Sequence, residues 1–236
     1  MAPPSPSSAE LLTLLNDFDR SFEQERQRDF LRNHSTAGTA SLDVYYAGNI
    51  DHLSYRSVSI VGTRNVSDLG WRRAARLARE LGSRGITIVS GLAKGVDTAA
   101  LVTAVREGYR VAAVIGTPLT KAYPAENGEL QEEIWQEHLL MTPFSDGEAV
   151  YKSNFPKRNR VMAAISDATV IIEASDTSGT LHQAAECHRL GRWLFIAKSV
   201  VDDRTLSWPR KFLDHPKTVV LRETSDIMER IGASPS

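Results

Sequence analysis

Between residues 57 and 231 the apolar positions fall into short continuous runs, and helix-like patterns fill the gaps between them. Ser57–Val61 predicts a strand ending at Gly62-Thr63-Arg64, and Asp68–Leu81 a helix. Ile86–Ser90 predicts a strand that stops at Gly91-Leu92-Ala93-Lys94-Gly95, followed by a helix over Val96–Glu107. Arg110–Ile115 ends in the same way at Gly116-Thr117-Pro118. Asn127 opens a helix to Glu137, and Leu139–Thr142 is a short strand. Val161-Met162-Ala163-Ala164-Ile165 reads as the buried side of another helix, and Ala168–Glu173 as another strand. Asp176-Thr177-Ser178-Gly179-Thr180 opens a helix to about Leu190. Trp193–Ala197 and Thr218–Leu221 read as strands and Ser225–Ile231 as a closing helix.

Strands that are apolar throughout, rather than alternating, are covered on both faces, and helices between them make the sheet parallel. The expected fold is therefore α/β and Rossmann-like, a mainly parallel sheet with helices on both faces, over residues 44–236. Residues 1–43 are expected to be a Pro/Ser tail, a helix and a polar linker. The helix is predicted from Ser8 to about Arg32, with the stripe Leu11, Leu12, Leu14, Leu15, Phe18 and Phe22. That stripe needs a surface, and packing on its own domain is preferred to docking on a partner.

Ligands bind such sheets at the carboxyl ends of the strands, near a switch in strand order. Gly62-Thr63-Arg64, Ser90-Gly91, Gly116-Thr117 and Ser178-Gly179-Thr180 are all expected on that edge. Glycine lets backbone N–H groups approach a phosphate, and hydroxyls add donors. Neither a Walker A loop nor a well-placed Gly-x-Gly-x-x-Gly fingerprint occurs.

Asn154-Phe155-Pro156-Lys157-Arg158-Asn159-Arg160 carries three cations within four residues, and no acid stands between Glu148 and Asp167. Cations at a positive helix start repel it, so a bound phosphate is their natural partner. Arg64 is placed to reach the site edge, and Lys94 faces either the site or solvent. Phe155 either stacks on a base or anchors the loop in the core. Asn154 and Asn159 would hold the loop through backbone hydrogen bonds, and Asp97 would cap the helix after Gly95.

The formal net charge of the 236-residue chain is −1, so nucleic acid would be held by a local patch and not by a global field. Its single cysteine, Cys187, excludes a disulfide framework and a cysteine zinc site, and is read as a buried structural thiol. No apolar run approaches the roughly 20 residues of a membrane span, and the N-terminus lacks signal-peptide organisation, so a cytoplasmic protein is expected. The histidines are scattered. His182 and Glu186 share a helix face and read as a surface pair. No nucleophile–base–acid set stands out, which favours a binding module over an enzyme, with no metal or cofactor.

Five segments, in order, carry a resemblance. They are Ile60–Arg64, Ser90–Asp97, Tyr123–Asn127, Asn154–Arg160 and Ser178–Leu181. The chain resembles the DNA-processing protein A family (DprA, also called Smf) from about Ser57 to Arg192. The resemblance implies a Rossmann-like protein that binds single-stranded DNA in a basic pocket, forms homodimers and helps load the RecA recombinase during natural transformation. It implies DNA contacts for Arg64, Lys94, Lys157, Arg158 and Arg160. The chain departs from the family pattern at Leu140–Pro143, at Lys198-Ser199 and over Val201–His215, and no winged-helix extension is expected after Ile231. Divergent relatives in toxin–antitoxin and phage-defence loci suggest an alternative, a protein that regulates a neighbouring effector. A weaker alternative is a nucleotide-processing protein of the lysine-decarboxylase-like type.

Overall fold

A nine-stranded sheet organises the molecule. The computed structural model describes residues 6–18, 42–151 and 153–232. Its strands are β1 (Ser7–Glu10), β2 (Asp43–Gly48), β3 (Ser57–Val61), β4 (Thr87–Ser90), β5 (Val111–Val114), β6 (Leu139–Thr142), β7 (Ala168–Ile171), β8 (Trp193–Ala197) and β9 (Thr218–Leu221). Its helices are α1 (Leu11–Asp17), α2 (Asp68–Gly82), α3 (Val96–Arg106), α4 (Gly128–Glu137), α5 (Asn154–Ala164), α6 (Thr180–Arg189), α7 (Lys198–Val201), α8 (Arg210–Leu213) and α9 (Thr224–Ile231).

The strand order is β1-β2-β6-β5-β4-β3-β7-β8-β9. Strands β3 to β9 are mutually parallel, while β2 adds to β6 and β1 to β2 in antiparallel fashion. From β3 the chain steps outward through β4 and β5 to β6, then returns to lay β7 on the other flank of β3. That reversal is the switch point at which open α/β sheets form a ligand crevice.

The structure differs from the sequence expectation at the antiparallel edge, and it adds the short helices α7 and α8 between β8 and β9. Residues 8–10, expected to start a helix, belong to β1, and 43–48, for which the sequence predicts no strand, form β2. Ser-Ser-Ala-Glu has no apolar pattern. It is extended because its backbone pairs with β2, Ser7 opposite Tyr46 and Glu10 opposite Asp43. Helix α1 then begins at Leu11, whose N–H donates to Leu42 O at 2.8 Å.

Each face of the sheet has its own core. On one, Leu11, Leu14 and Leu15 of α1 pack with Met141, Met162, Leu194 and Trp208. On the other, Ile60, Ile88 and Phe195 meet α2, α3 and α9 through Leu81, Leu101 and Ile227. The amphipathic stripe thus packs on its own domain as far as Phe18. The predicted continuation through Phe22 to Arg32, the linker at 34–41 and Lys152 lie outside the described residues. The divergent segment 201–215 is pinned to the loop after β7. Trp208, fully buried, donates Nε1–H to Ala174 O at 3.0 Å. Asp176 accepts the backbone N–H groups of Ser207 and Trp208.

Candidate nucleic-acid interface

At the end of β3 the chain turns in a narrow space. A Cβ on Gly62 would fall 2.5 Å from Val96 Cγ2 and 2.7 Å from Glu173 O. The Thr63 N–H donates to Glu173 O at 2.7 Å, which joins this turn to the loop after β7. Arg64 is carried outward by that turn. Its guanidinium lies 5.3 Å from the centre of the Phe155 ring and 6.0 Å from that of Tyr123.

The next loop, after β4, accommodates a buried cation. Gly91 leaves the room that the Arg158 guanidinium fills. Asp97 lies opposite, its Oδ2 3.9 Å from Arg158 Nη1, with both side chains buried. The same carboxylate accepts N–H groups from Gly91 at 3.1 Å and Ala93 at 3.4 Å. Asp97 therefore ties down the loop before its own helix. The N-cap of α3 is Gly95, without a side-chain cap, which corrects the reading of Asp97 as a cap. Burial pushes the Asp97 carboxyl up, opposed by Arg158, by the loop N–H groups and by Arg64. Burial pulls Arg158 down, opposed by Asp97. Among the described residues, Arg158 Nε has no hydrogen-bond partner.

The loop after β5 receives the aromatic. A Cβ on Gly116 would lie 2.9 Å from Phe155 Cδ1, so glycine lets the ring settle on the backbone. Asn154 Nδ2–H donates to Gly116 O at 3.4 Å and fixes the start of α5 there. The Tyr123 ring stands 5.8 Å from Phe155 at an interplanar angle of 47°. In the loop before α6, Ser178 donates to Thr180 Oγ1 at 2.9 Å, and Thr180 donates to Gly62 O at 3.0 Å.

Together these loops enclose a cleft of about 270 Å³ at the β3/β7 switch, which Gly62, Thr63, Arg64, Phe155, Arg158 and Asn159 line from one side. Ser178, Gly179, Thr180 and Gln183 line it from the other. The Gln183 Oε1 atom is buried without a hydrogen-bond partner among the described residues. A recess of about 40 Å³ adjoins it through Arg64, Phe155 and Arg158 and is bounded by Gly91, Lys94, Gly116 and Tyr123. The cleft offers an exposed guanidinium, an aromatic face, a buried cation and loop backbone, a set suited to a phosphate and a base.

Some residues predicted for the site are placed elsewhere. Ser90 is fully buried and donates its hydroxyl to Ile60 O at 2.7 Å, so it holds β4 to β3. Arg160 turns from the cleft to Glu186, Nε to Oε2 3.2 Å, with both side chains buried. Glu186 also pairs with Arg189 at 2.9 Å, so it is a buried helix-to-helix anchor and not half of a surface pair with His182. Lys94 reaches Glu126 at 2.7 Å in an exposed pair. Lys157 is half-buried and forms no ion pair among the described residues. The expectation that the three cations need a phosphate for relief is corrected in part: acids distant in sequence, Asp97 and Glu186, partner two of them. Sequence reasoning missed the Asp97–Arg158 pair, Tyr123 and Gln183. Only Tyr123 had a signal, its place in the Tyr123–Asn127 segment.

Cys187 is buried, and burial pushes its thiol up to about 12. Among the described residues no cluster of His, Cys, Asp or Glu could hold a metal ion, and no helix is long and apolar enough to cross a membrane.

The profile of the family described as DNA recombination-mediator protein A matches residues 25–232. The DNA processing protein DprA of Streptococcus pneumoniae is 38% identical over 160 residues, 67% of this chain and 56% of that protein. Protein Smf of a Synechocystis strain is 34% identical over 196 residues, 81% of this chain and 49% of that protein. The chain thus spans about half the length of the curated relatives it matches. The X-ray structure of the S. pneumoniae protein superposes with a TM-score of 0.75 at 29% identity, covering 96% of this chain and 74% of that one. A DNA processing protein A from Helicobacter pylori, described for its single-stranded DNA binding mode, gives a TM-score of 0.70 at 26% identity, with coverage of 79% and 85%. A molybdenum cofactor carrier protein from Chlamydomonas reinhardtii shares the fold alone, with a TM-score of 0.53 at 12% identity.

Proposed function

The chain belongs to the DNA recombination-mediator protein A family, and on that premise we propose that the cleft at the β3/β7 switch binds single-stranded DNA in recombination. The observation that carries this reading is Arg64, exposed at the rim, with its guanidinium 5.3 Å from the Phe155 ring centre. A base stacks on the Phe155–Tyr123 pair while the adjoining phosphate meets Arg64. Arg158 adds positive potential from the floor. Lys157 and Lys94 supply further charge along the approach, Lys94 after leaving Glu126.

The site is read as one for binding and not for turnover. Its carboxylate, Asp97, is tied to two backbone N–H groups and to Arg158. The Ser178 and Thr180 hydroxyls are committed to holding their loop against Gly62. Homodimer formation, delivery of the strand to RecA and a cytoplasmic location belong to the same proposal. Co-sedimentation with RecA on a single strand tests the delivery step.

The direct test is fluorescence anisotropy with a labelled oligothymidylate. Loss of one stacked base costs about 1–3 kcal/mol, so Phe155→Leu should weaken binding by roughly 5- to 150-fold. Arg64→Ala should weaken it and reduce its salt dependence by about 0.7 in slope, the contribution of one phosphate contact. Unchanged affinity in both folded variants would defeat the reading.

A further inference from the structure

A second recess, about 700 Å³, lies between α2 and the loops that follow β8 and β9. Five cations face it: Arg73, Arg76 and Arg84 in or just after α2, Lys198 after β8, and Arg222 after β9. Three acids share the lining, Glu80, Asp202 and Glu223. The acids are largely committed. Glu80 pairs with Arg76 and accepts the Thr224 hydroxyl, and Asp202 pairs with Lys198. The Glu223 carboxylate accepts a backbone N–H in the capping box that opens α9. The Arg84 guanidinium is spent on the Glu80 carbonyl. Arg73 and Arg222 remain, two guanidiniums with no ion pair among the described residues. In a chain of net charge −1 this is a local surplus of positive charge, unexplained by the fold.

Its position adds the second half of the argument. Ile172, Ala197 and Leu221, at the carboxyl ends of β7, β8 and β9, form part of the lining. The groove therefore opens on the same sheet edge as the cleft, and β7 is the strand next to β3. With strands about 4.8 Å apart, β3 and β9 are separated by roughly 15 Å along that edge. Among the described residues no aromatic side chain lines the groove, whereas the cleft has Phe155. Its chemistry suits sugar-phosphate and not bases.

We propose that a single strand held in the cleft continues past β7 into this groove, where Arg73 and Arg222 contact its phosphates. The inference rests on the reading of the cleft as a single-strand site. It makes the groove a sequence-independent extension that senses strand length.

The test compares Arg73→Glu/Arg222→Glu with the parent chain on oligothymidylates of about six and about twenty nucleotides, titrated over a range of salt. For the longer strand, affinity should fall by roughly tenfold or more and the salt slope by about 1.4, two phosphate contacts at about 0.7 each. For the shorter strand, both should stay within about twofold of the parent, since the cleft is intact. The neutral pair Arg73→Gln/Arg222→Gln should show the same selectivity with a smaller loss, and thermal unfolding should match the parent in both. Equal weakening on both lengths overturns the inference, because the groove would then act only through the general field. Unchanged binding on the longer strand, or a change confined to self-association, also overturns it and makes the groove a protein contact. A parent chain that binds neither oligonucleotide defeats the reading of the cleft itself, an outcome distinct from the others.

Discussion

Arg158 occupies the space that a side chain on Gly91 would need: a Cβ there would fall 1.3 Å from Arg158 Nη1. The glycine of one βα loop and the cation of a helix distant in sequence are thus shaped to each other. A buried guanidinium near a buried carboxylate is stable only if both stay in place, since a lone buried charge is costly. This turns a glycine that resembles a phosphate-binding residue into one that seats a cation.

Gly91→Ala should therefore expel the Arg158 guanidinium from the floor. The tip of an arginine can swing away, so the chain should still fold, but Asp97 loses its positive neighbour. Stability at neutral pH should fall by about 1–3 kcal/mol, because Asp97 keeps its two N–H donors but loses the nearer of its cations. Affinity for single strands should fall in parallel. Chemical denaturation and anisotropy on the same variant check both, and an unchanged denaturation midpoint would show that Arg158 has another seat.

The three cations of α5 should separate by experiment. Arg160→Glu places an acid against Glu186 in a buried site, and breaking a buried pair costs about 3–5 kcal/mol. Lys157→Glu, on a half-buried residue with no ion pair among the described residues, should change stability by less than about 0.5 kcal/mol while weakening strand binding. The triple reversal of Lys157, Arg158 and Arg160, harmless to the fold if all three were exposed, is expected to unfold the protein. Circular dichroism melts of the single and triple variants decide this.

The parallel sheet was legible because its strands are short, mostly apolar runs and several end in glycine loops, as Val111–Val114 before Gly116 shows. The cleft was legible as an edge, since every loop that lines it follows from that alternation. Beyond that, pattern fails for physical reasons. β1 is extended only because β2 offers it a backbone edge, which no local periodicity records. Asp97 and Glu186 meet their arginines through tertiary packing, so a charge run with no acid in its own sequence reads as exposed when two of its members are buried. Ser90 follows the loop pattern yet faces the interior, because the strand continues through it.

A further prediction concerns acid. His188 stacks on His215 with ring centres 3.7 Å apart, and its Nε2 is 2.8 Å from Thr218 Oγ1. Burial, and then the neighbouring His215, pushes its pKa down to about 4 from the ordinary 6.5. Between those values the unfolded chain binds a proton that the folded one does not, so stability rises with pH across that window. The contribution of neutral His188 is complete above about 6.5 and is lost as the pH falls toward 4. His52 and His138, also lowered by burial, act in the same direction. Melting temperature should thus drop on acidification over this range, and His188→Gln should flatten the slope without abolishing it. An identical slope in the variant would remove His188 as a cause.

Truncation or substitution in α1 distinguishes a core helix from a docking helix. Leu11 and Leu15 are fully buried and Leu14 nearly so, all against the core on the α5 and α6 face. Replacing a buried leucine by alanine costs about 2–5 kcal/mol, through lost transfer energy and the cavity left behind. For a protein of this size each kcal/mol shifts the melting temperature by roughly 2–4 °C, so Leu15→Ala should melt about 4–20 °C lower. Removing residues 1–18 should cost more, because β2 then also loses β1, one of its two antiparallel neighbours. Single-strand affinity should persist in Leu15→Ala at temperatures where it is folded, since α1 contributes nothing to the cleft lining. A helix that served only to engage a partner would give the opposite result. Leu15→Ala would then melt with the parent chain, and only co-purification of a second protein would change.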